Sequence, residues 1–114
     1  MYNILHIEQS GFFSKLLEKI VKEKGHKYIN VRDFNEARDV LNSQNVSLII
    51  SSLYANGGDI EEFVEAINKR FDIPIFVVTS EDMDDKRKDL VNLGISEYIL
   101  KKDLEEEVRN YLDS

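Results

Sequence analysis

The 114-residue chain has no cysteine, a single proline and no apolar run longer than about five residues. Without cysteine there is no disulfide, no thiolate nucleophile and no thiolate metal site, a usage that fits a reducing compartment. Runs of that length fall far short of the ~20 apolar residues needed to span a bilayer. The start, Met1-Tyr2-Asn3-Ile4, lacks the charged and apolar regions of a secretory signal, so a cytoplasmic location is expected. Positive charge is also scarce: 15 basic residues are interspersed among 22 acidic ones, for a net charge of −7. Nucleic-acid binding begins with phosphate neutralisation, so this balance disfavours it and points to protein partners. With no repeat, low-complexity tract or linker, residues 1–114 read as one domain, long enough to bury roughly two thirds of its unfolded surface.

What is present is an ordinary globular balance, 42% hydrophobic and 32% charged, arranged as five short apolar runs alternating with amphipathic stretches. Phe13, Leu16, Leu17, Ile20 and Val21 fall on one face of a helix that stops near Gly25. Lys27 to Val31 reads as a strand. Asn35 is a candidate cap for a helix carrying Ala37, Val40 and Leu41, and after a strand at 46–51, Asp59 is one for a helix carrying Phe63, Val64 and Ile67. Pro74 stands at the start of the next strand, where its missing N–H costs least. Residues 82–93 form a more charged helix with Leu90 and Val91 inward, closed by Gly94, and a strand at 96–100 follows. Asp103 and Glu106 suit a capping box before a helix that buries Leu104, Val108, Tyr111 and Leu112. Strands of four to six residues, several apolar throughout, predict a doubly wound α/β fold with a five-stranded parallel sheet covered on both faces. In such a sheet ligands bind beyond the carboxyl ends of the strands, where Glu8, Gln9, Ser52, Thr79, Ser80 and Lys101 stand.

The ordered strand ends, Ile4-Leu5-His6-Ile7-Glu8-Gln9, Leu48-Ile49-Ile50-Ser51-Ser52, Phe76-Val77-Val78-Thr79-Ser80 and Tyr98-Ile99-Leu100-Lys101, resemble the receiver domain of two-component response regulators over essentially the whole chain. The resemblance implies the flavodoxin-like (βα)5 sandwich of CheY-like proteins. In that family two adjacent acidic residues after the first strand and an aspartate after the third hold Mg²⁺, and the aspartate accepts a phosphoryl group. Here the matching positions carry Glu8, Gln9 and Ser52. Thr79 and Lys101 match the switch hydroxyl and the phosphate-sensing lysine, and Tyr98 matches the switch aromatic. Lys102 stands where the family usually has proline after a cis bond, so a trans bond and a rearranged loop are expected.

One carboxylate in place of three gives little reason to retain Mg²⁺, so no metal and no cofactor are expected. Ser52 is a poor replacement nucleophile because a hydroxyl needs a base, and neither His6, inside a strand, nor His26 is placed to be one. No catalytic residue is expected. Ser52 reads as a strand-end hydrogen-bonder, and Lys101 is expected to pair with Glu8 across the former metal site. Gly57-Gly58-Asp59 lacks the lysine and spacing of a phosphate loop, and Glu81, Asp82, Asp84 and Asp85 lack the spacing of a Ca²⁺ loop.

These features describe a degenerate receiver that acts without phosphorylation, through a homodimer, a protein partner or a downstream output domain. The expected contact surface is segment 82–113, with Asp84, Lys86, Arg87, Glu97, Lys102 and Glu105 pairing across a two-fold axis. Residues 73–106 look particularly like the first receiver of tandem-receiver proteins with a GGDEF diguanylate cyclase output, which leaves room for a longer natural protein. Two other readings stay open: a phosphoacceptor receiver using another residue such as Asp59, and a small-ligand sensor using the vacated pocket.

Overall fold

The structure, a computed structural model, describes all 114 residues. Strands and helices alternate: β1 (Asn3–Ile7), α1 (Gly11–Glu23), β2 (Lys27–Val31), α2 (Phe34–Ser43), β3 (Leu48–Ser52), α3 (Ile60–Arg70), β4 (Ile75–Thr79), α4 (Asp84–Asn92), β5 (Glu97–Leu100) and α5 (Leu104–Leu112), with a 3-10 turn at Lys101–Asp103. The strands form one parallel sheet in the order β2-β1-β3-β4-β5. This is the expected doubly wound, flavodoxin-like arrangement.

Strand alternation divides the apolar residues between two cores. Leu5, Ile7, Ile49, Ile75 and Val77 face α2, α3 and α4, where Phe34 and Phe63 stack with ring centres 4.8 Å apart. Ile4, Leu48, Ile50, Phe76 and Val78 face α1 and α5 and meet Leu17, Ile20, Val21 and Val108. Because β3 and β4 are buried on both faces, neither shows the polar alternation of a half-exposed strand.

Several local expectations are corrected. The cap of α2 is Asp33, not Asn35: Glu36 N–H donates to Asp33 Oδ1 at 2.8 Å, and Arg32 N–H donates to Glu36 Oε1 at 3.1 Å. Asp33 has the extended backbone that a cap requires, whereas Asn35 is already inside the helix. The strand expected at 46–51 runs over Leu48–Ser52, since Ser47 is spent anchoring Asn3 through its backbone N–H and its Oγ. Val91 is 53% exposed; only Leu90 of α4 is buried, and the ~100° turn per residue carries its neighbour outward. Tyr111 is only partly buried against the α1 and α5 core. Asp103 makes no side-chain cap bond, because the 3-10 turn before α5 takes it out of the extended conformation. Asp59 stands at the N-cap of α3 but likewise makes no side-chain cap bond. The chain has no cis peptide bond, so Lys101-Lys102 is trans.

Candidate functional site

The sheet order places β1 and β3 side by side at its centre, so their carboxyl ends open into one cleft with the end of β4. This cleft, about 490 Å³, is lined by Glu8, Gln9, Ser52, Thr79 and Lys101 together with Glu81. All six strand-end residues singled out by the sequence, Ser80 among them, are therefore brought together. Asp59 does not line the cleft; it stands at the N-cap position of α3, seven residues beyond Ser52.

Glu8 is 6% exposed, and both its oxygens are engaged. Oε2 accepts from Ser10 N–H at 3.2 Å, and Oε1 lies 3.4 Å from Lys101 Nζ. Ser10 in turn caps α1 by accepting from Phe13 N–H at 3.4 Å. The Phe13 ring, carried on the first turn of that helix, has its centre 4.3 Å from the Lys101 ammonium. The lysine is thus held between a carboxylate and the negative face of an aromatic ring. The sequence pointed to the Glu8 and Lys101 pairing but not to Phe13, which had been assigned only to a helix face.

Ser52 is 9% exposed, and its Oγ is the one buried side-chain oxygen or nitrogen without a hydrogen-bond partner. The expectation that Ser52 bonds backbone at the strand end is therefore corrected. The neighbouring Ser51 hydroxyl does so instead, donating to the Ser52 carbonyl at 2.8 Å. Alternation sets the two hydroxyls on opposite faces, and only the inner one finds a carbonyl in reach. Thr79 Oγ1 accepts from Glu81 N–H at 3.2 Å and so closes a short turn after β4.

Beside Glu8 lies a group that the sequence reading weighs only as a base for Ser52 and sets aside. His6, two residues earlier on the same face of β1, is fully enclosed, with Nδ1 2.8 Å from the Tyr28 hydroxyl. Burial pushes its pKa down to about 4, with the Glu8 carboxylate opposing and the Lys101 ammonium assisting. Burial pushes the Tyr28 hydroxyl up, as do the carboxylates of Glu18 and Glu8. The signal was available in the two-residue spacing of His6 and Glu8, which strand geometry places on one side.

The donor set does not fit a hard divalent cation. Such an ion prefers several carboxylate oxygens, but Gln9 and Ser52 supply none, and Glu8 is already bound to an ammonium and an amide. No cluster of three or more His, Cys, Asp or Glu side chains converges there or elsewhere.

Tyr98 lies outside the cleft, on the side of the sheet that packs against α4. Its hydroxyl donates to the Glu81 carbonyl at 3.5 Å, and the Arg87 guanidinium carbon stands 5.3 Å from its ring centre. Burial raises the Tyr98 pKa, with a smaller opposing effect of the Met83 backbone. Arg87 also bonds Asp82 and lies 3.8 Å from Asp84. The six residues expected to share one contact face do not all do so. Lys86, 27% exposed, turns toward α3 and pairs with Glu61; that hydrogen bond lowers the Glu61 pKa and raises that of Lys86. Glu105 pairs with Arg109 along its own helix at 3.0 Å. Arg87 and Glu97 do line a common groove of about 220 Å³ between α4 and α5, while Lys102 is exposed beyond it.

Residues 4–113 match the response regulator receiver domain family. Among solved structures, a Francisella response regulator receiver domain is 15% identical with a TM-score of 0.88, covering 99% of this chain and 94% of that one. The beryllofluoride-activated N-terminal receiver domain of RstA from Klebsiella pneumoniae is 19% identical, with a TM-score of 0.84 and coverage of 98% and 99%. The Mn²⁺-bound form of response regulator Rcp1 is 27% identical, with a TM-score of 0.84 and coverage of 96% and 91%. A match over nearly every residue, on a chain folded as the family folds, establishes the family: this protein belongs to the response regulator receiver domains of two-component signalling.

Proposed function

We propose that this receiver signals without phosphorylation, as a non-enzymatic cytoplasmic module that works through protein contacts. The observation that carries this reading is the cleft itself. A serine with an unpartnered hydroxyl ends β3, where the family carries its acceptor aspartate, and a lysine ammonium occupies the carboxylate that would otherwise help hold Mg²⁺. The fixed pair supplies internally the charge balance that the metal supplies in active receivers. Magnesium binding no tighter than millimolar follows from the single engaged carboxylate.

Contacts made without a phosphoryl group have to pre-exist, and the groove between α4 and α5 supports such a role with Arg87 and Glu97 on its walls. The occupant in this reading is a second copy or an adjoining output domain. The likeness of residues 73–106 to the first receiver of tandem-receiver GGDEF proteins supports a setting in a longer polypeptide.

The decisive experiment is incubation with acetyl phosphate or beryllofluoride plus Mg²⁺, followed by intact mass and amide NMR. Mass and spectrum should stay unchanged. A hydroxylamine-labile gain of one phosphoryl group would overturn the proposal. The Gln9→Asp, Ser52→Asp double variant, which restores two carboxylates to the cleft, serves as the positive arm and should bind Mg²⁺ measurably.

A further inference from the structure

We propose that Asn56 is a self-modification site: in the folded protein its side-chain amide leaves as ammonia and a carboxylate takes its place, through attack by the Gly57 backbone nitrogen. The reaction needs no enzyme and no co-reactant but water. Of the nine asparagines in the chain only Asn56 precedes a glycine, so only there does no side chain hinder the approach of the following backbone nitrogen. Both residues are exposed in the loop between β3 and α3, and neither lines the cleft.

The packing of this loop on α2 dictates the glycine. Gly57 has φ +92°, in the left-handed region, and a Cβ there would lie 3.1 Å from Asn35 Nδ2 and 3.2 Å from the Asn35 backbone nitrogen. The same docking acts on the attacking peptide group. Its oxygen, the Asn56 carbonyl, accepts Phe34 N–H at 3.0 Å, at the first residue of α2. Loss of the Gly57 amide proton spreads negative charge over that nitrogen and that oxygen. A donor at a helix N-terminus stabilises such charge, and so does the Arg38 guanidinium, which donates to the next carbonyl, that of Gly57, at 3.3 Å. An isolated parallel bridge to Asp33 holds the Asn56 backbone in place. Neither the Gly57 N–H nor the Asn56 side-chain amide has a hydrogen-bond partner to give up.

In the first step the Gly57 nitrogen bonds to Asn56 Cγ and the Cγ–Nδ2 bond breaks. The proton shed by Gly57 leaves with the amide nitrogen as ammonia, and a cyclic imide remains. Water then opens the ring, its hydroxyl joining a carbonyl carbon and its proton returning to the Gly57 nitrogen; nothing is oxidised or reduced. Opening at Cγ restores the original peptide bond and gives aspartate. Opening at the Asn56 carbonyl carbon gives isoaspartate, with the chain running on through Cβ and Cγ. In that product the oxygen that accepted Phe34 N–H belongs to a free carboxylate, which the N-terminus of α2 favours. The backbone is also longer there by one methylene, so the Gly57 carbonyl shifts away from Arg38 and the loop loosens from α2. Either product adds one negative charge to a net of −7.

The test follows the folded protein at pH 8 and physiological temperature over days, by intact mass, tryptic mapping and labelling with protein isoaspartyl methyltransferase. The tryptic segment 39–69 should gain the mass difference between a hydroxyl and an amino group, located at residue 56 and mostly as isoaspartate. Asn42, in the same segment but inside α2 and followed by serine, is the internal control and should stay intact. The amides of Phe34, Asn35 and Glu36 should shift in the NMR spectrum as the conversion proceeds, while those of the core stay in place. Asn56→Gln, with a side chain one methylene too long for ready ring closure, should abolish both the mass gain and the methyl labelling. Conversion in the folded protein should be no slower than in the same chain unfolded in urea. Three outcomes overturn the proposal: Asn56 intact in the folded protein after the unfolded chain has converted, another asparagine converting first, or an undiminished mass gain in the Asn56→Gln variant.

Discussion

Glu8 with Lys101 and Glu61 with Lys86 are both carboxylate and ammonium pairs that tie neighbouring elements together, yet their surroundings differ. Glu8 is enclosed at the carboxyl edge of the sheet, and its second oxygen is taken by a backbone amide. Glu61 and Lys86 face each other across the outer gap between α3 and α4, each more than a quarter exposed. In the first pair water cannot replace the partner of the enclosed Glu8 carboxylate, so the geometry of the cleft depends on Lys101. In the second, water substitutes readily, and the pair steers the position of α4 more than it stabilises the fold.

The largest effect that separates the two regions is acid sensitivity. His6, on the same buried face as Glu8, has its pKa depressed from 6.5 to about 4 in the folded protein. As pH falls, the unfolded chain therefore takes up the proton first. Stability is complete above about 6.5 and is lost progressively down to about 4, by on the order of 3 kcal/mol. Urea unfolding at a series of pH values reads this loss, and His6→Leu should remove the dependence in that window. A wild-type curve that is flat between 6.5 and 4 would refute it.

Next comes the buried pair itself. Lys101→Met leaves the Glu8 carboxylate with only the Ser10 amide and should destabilise the domain by about 2 kcal/mol, less than for a fully buried pair because the lysine side chain is 24% exposed. The measurement is the shift in urea midpoint at pH 7. Glu8→Gln in the same assay should cost less, since the freed ammonium reaches water.

The smallest effect belongs to the outer pair. Lys86→Ala should change stability by no more than about 0.5 kcal/mol, because the remaining Glu61 carboxylate regains solvent. A loss comparable to that of Lys101→Met would mean that the two regions are energetically alike. Reversal of Arg87 alone, Arg87→Glu, should leave the fold intact and tests association at the groove instead. Sedimentation velocity should show a weakened dimer if the groove between α4 and α5 joins two copies, and raised ionic strength should act in the same direction.

The contrast also explains what was legible in advance. The strand ends could be placed from their apolar runs, and a doubly wound sheet brings such ends together whatever the side chains, so the membership of Glu8, Gln9, Ser52, Thr79 and Lys101 in one cleft followed from order alone. Caps were less legible. Asp33 and Asn35 are chemically similar candidates two residues apart, and backbone conformation chooses between them. The single-face reading of segment 82–113 failed for Lys86 because the direction of an exposed lysine depends on which helix packs alongside.

The sequence by itself determined the alternation of strands and helices, the two-sided burial of β3 and β4, and the glutamine and serine that stand after β1 and at the end of β3, because these depend on residue type and on periods of two and 3.6. Tertiary structure alone decided that Lys101 rests between Glu8 and Phe13, that His6 is sealed against Tyr28, that the Ser52 hydroxyl has no partner, and that the Asn56 carbonyl docks on Phe34 N–H. Each of these is a meeting of residues from different elements, and such meetings are set by packing angles and side-chain rotamers that no local pattern encodes.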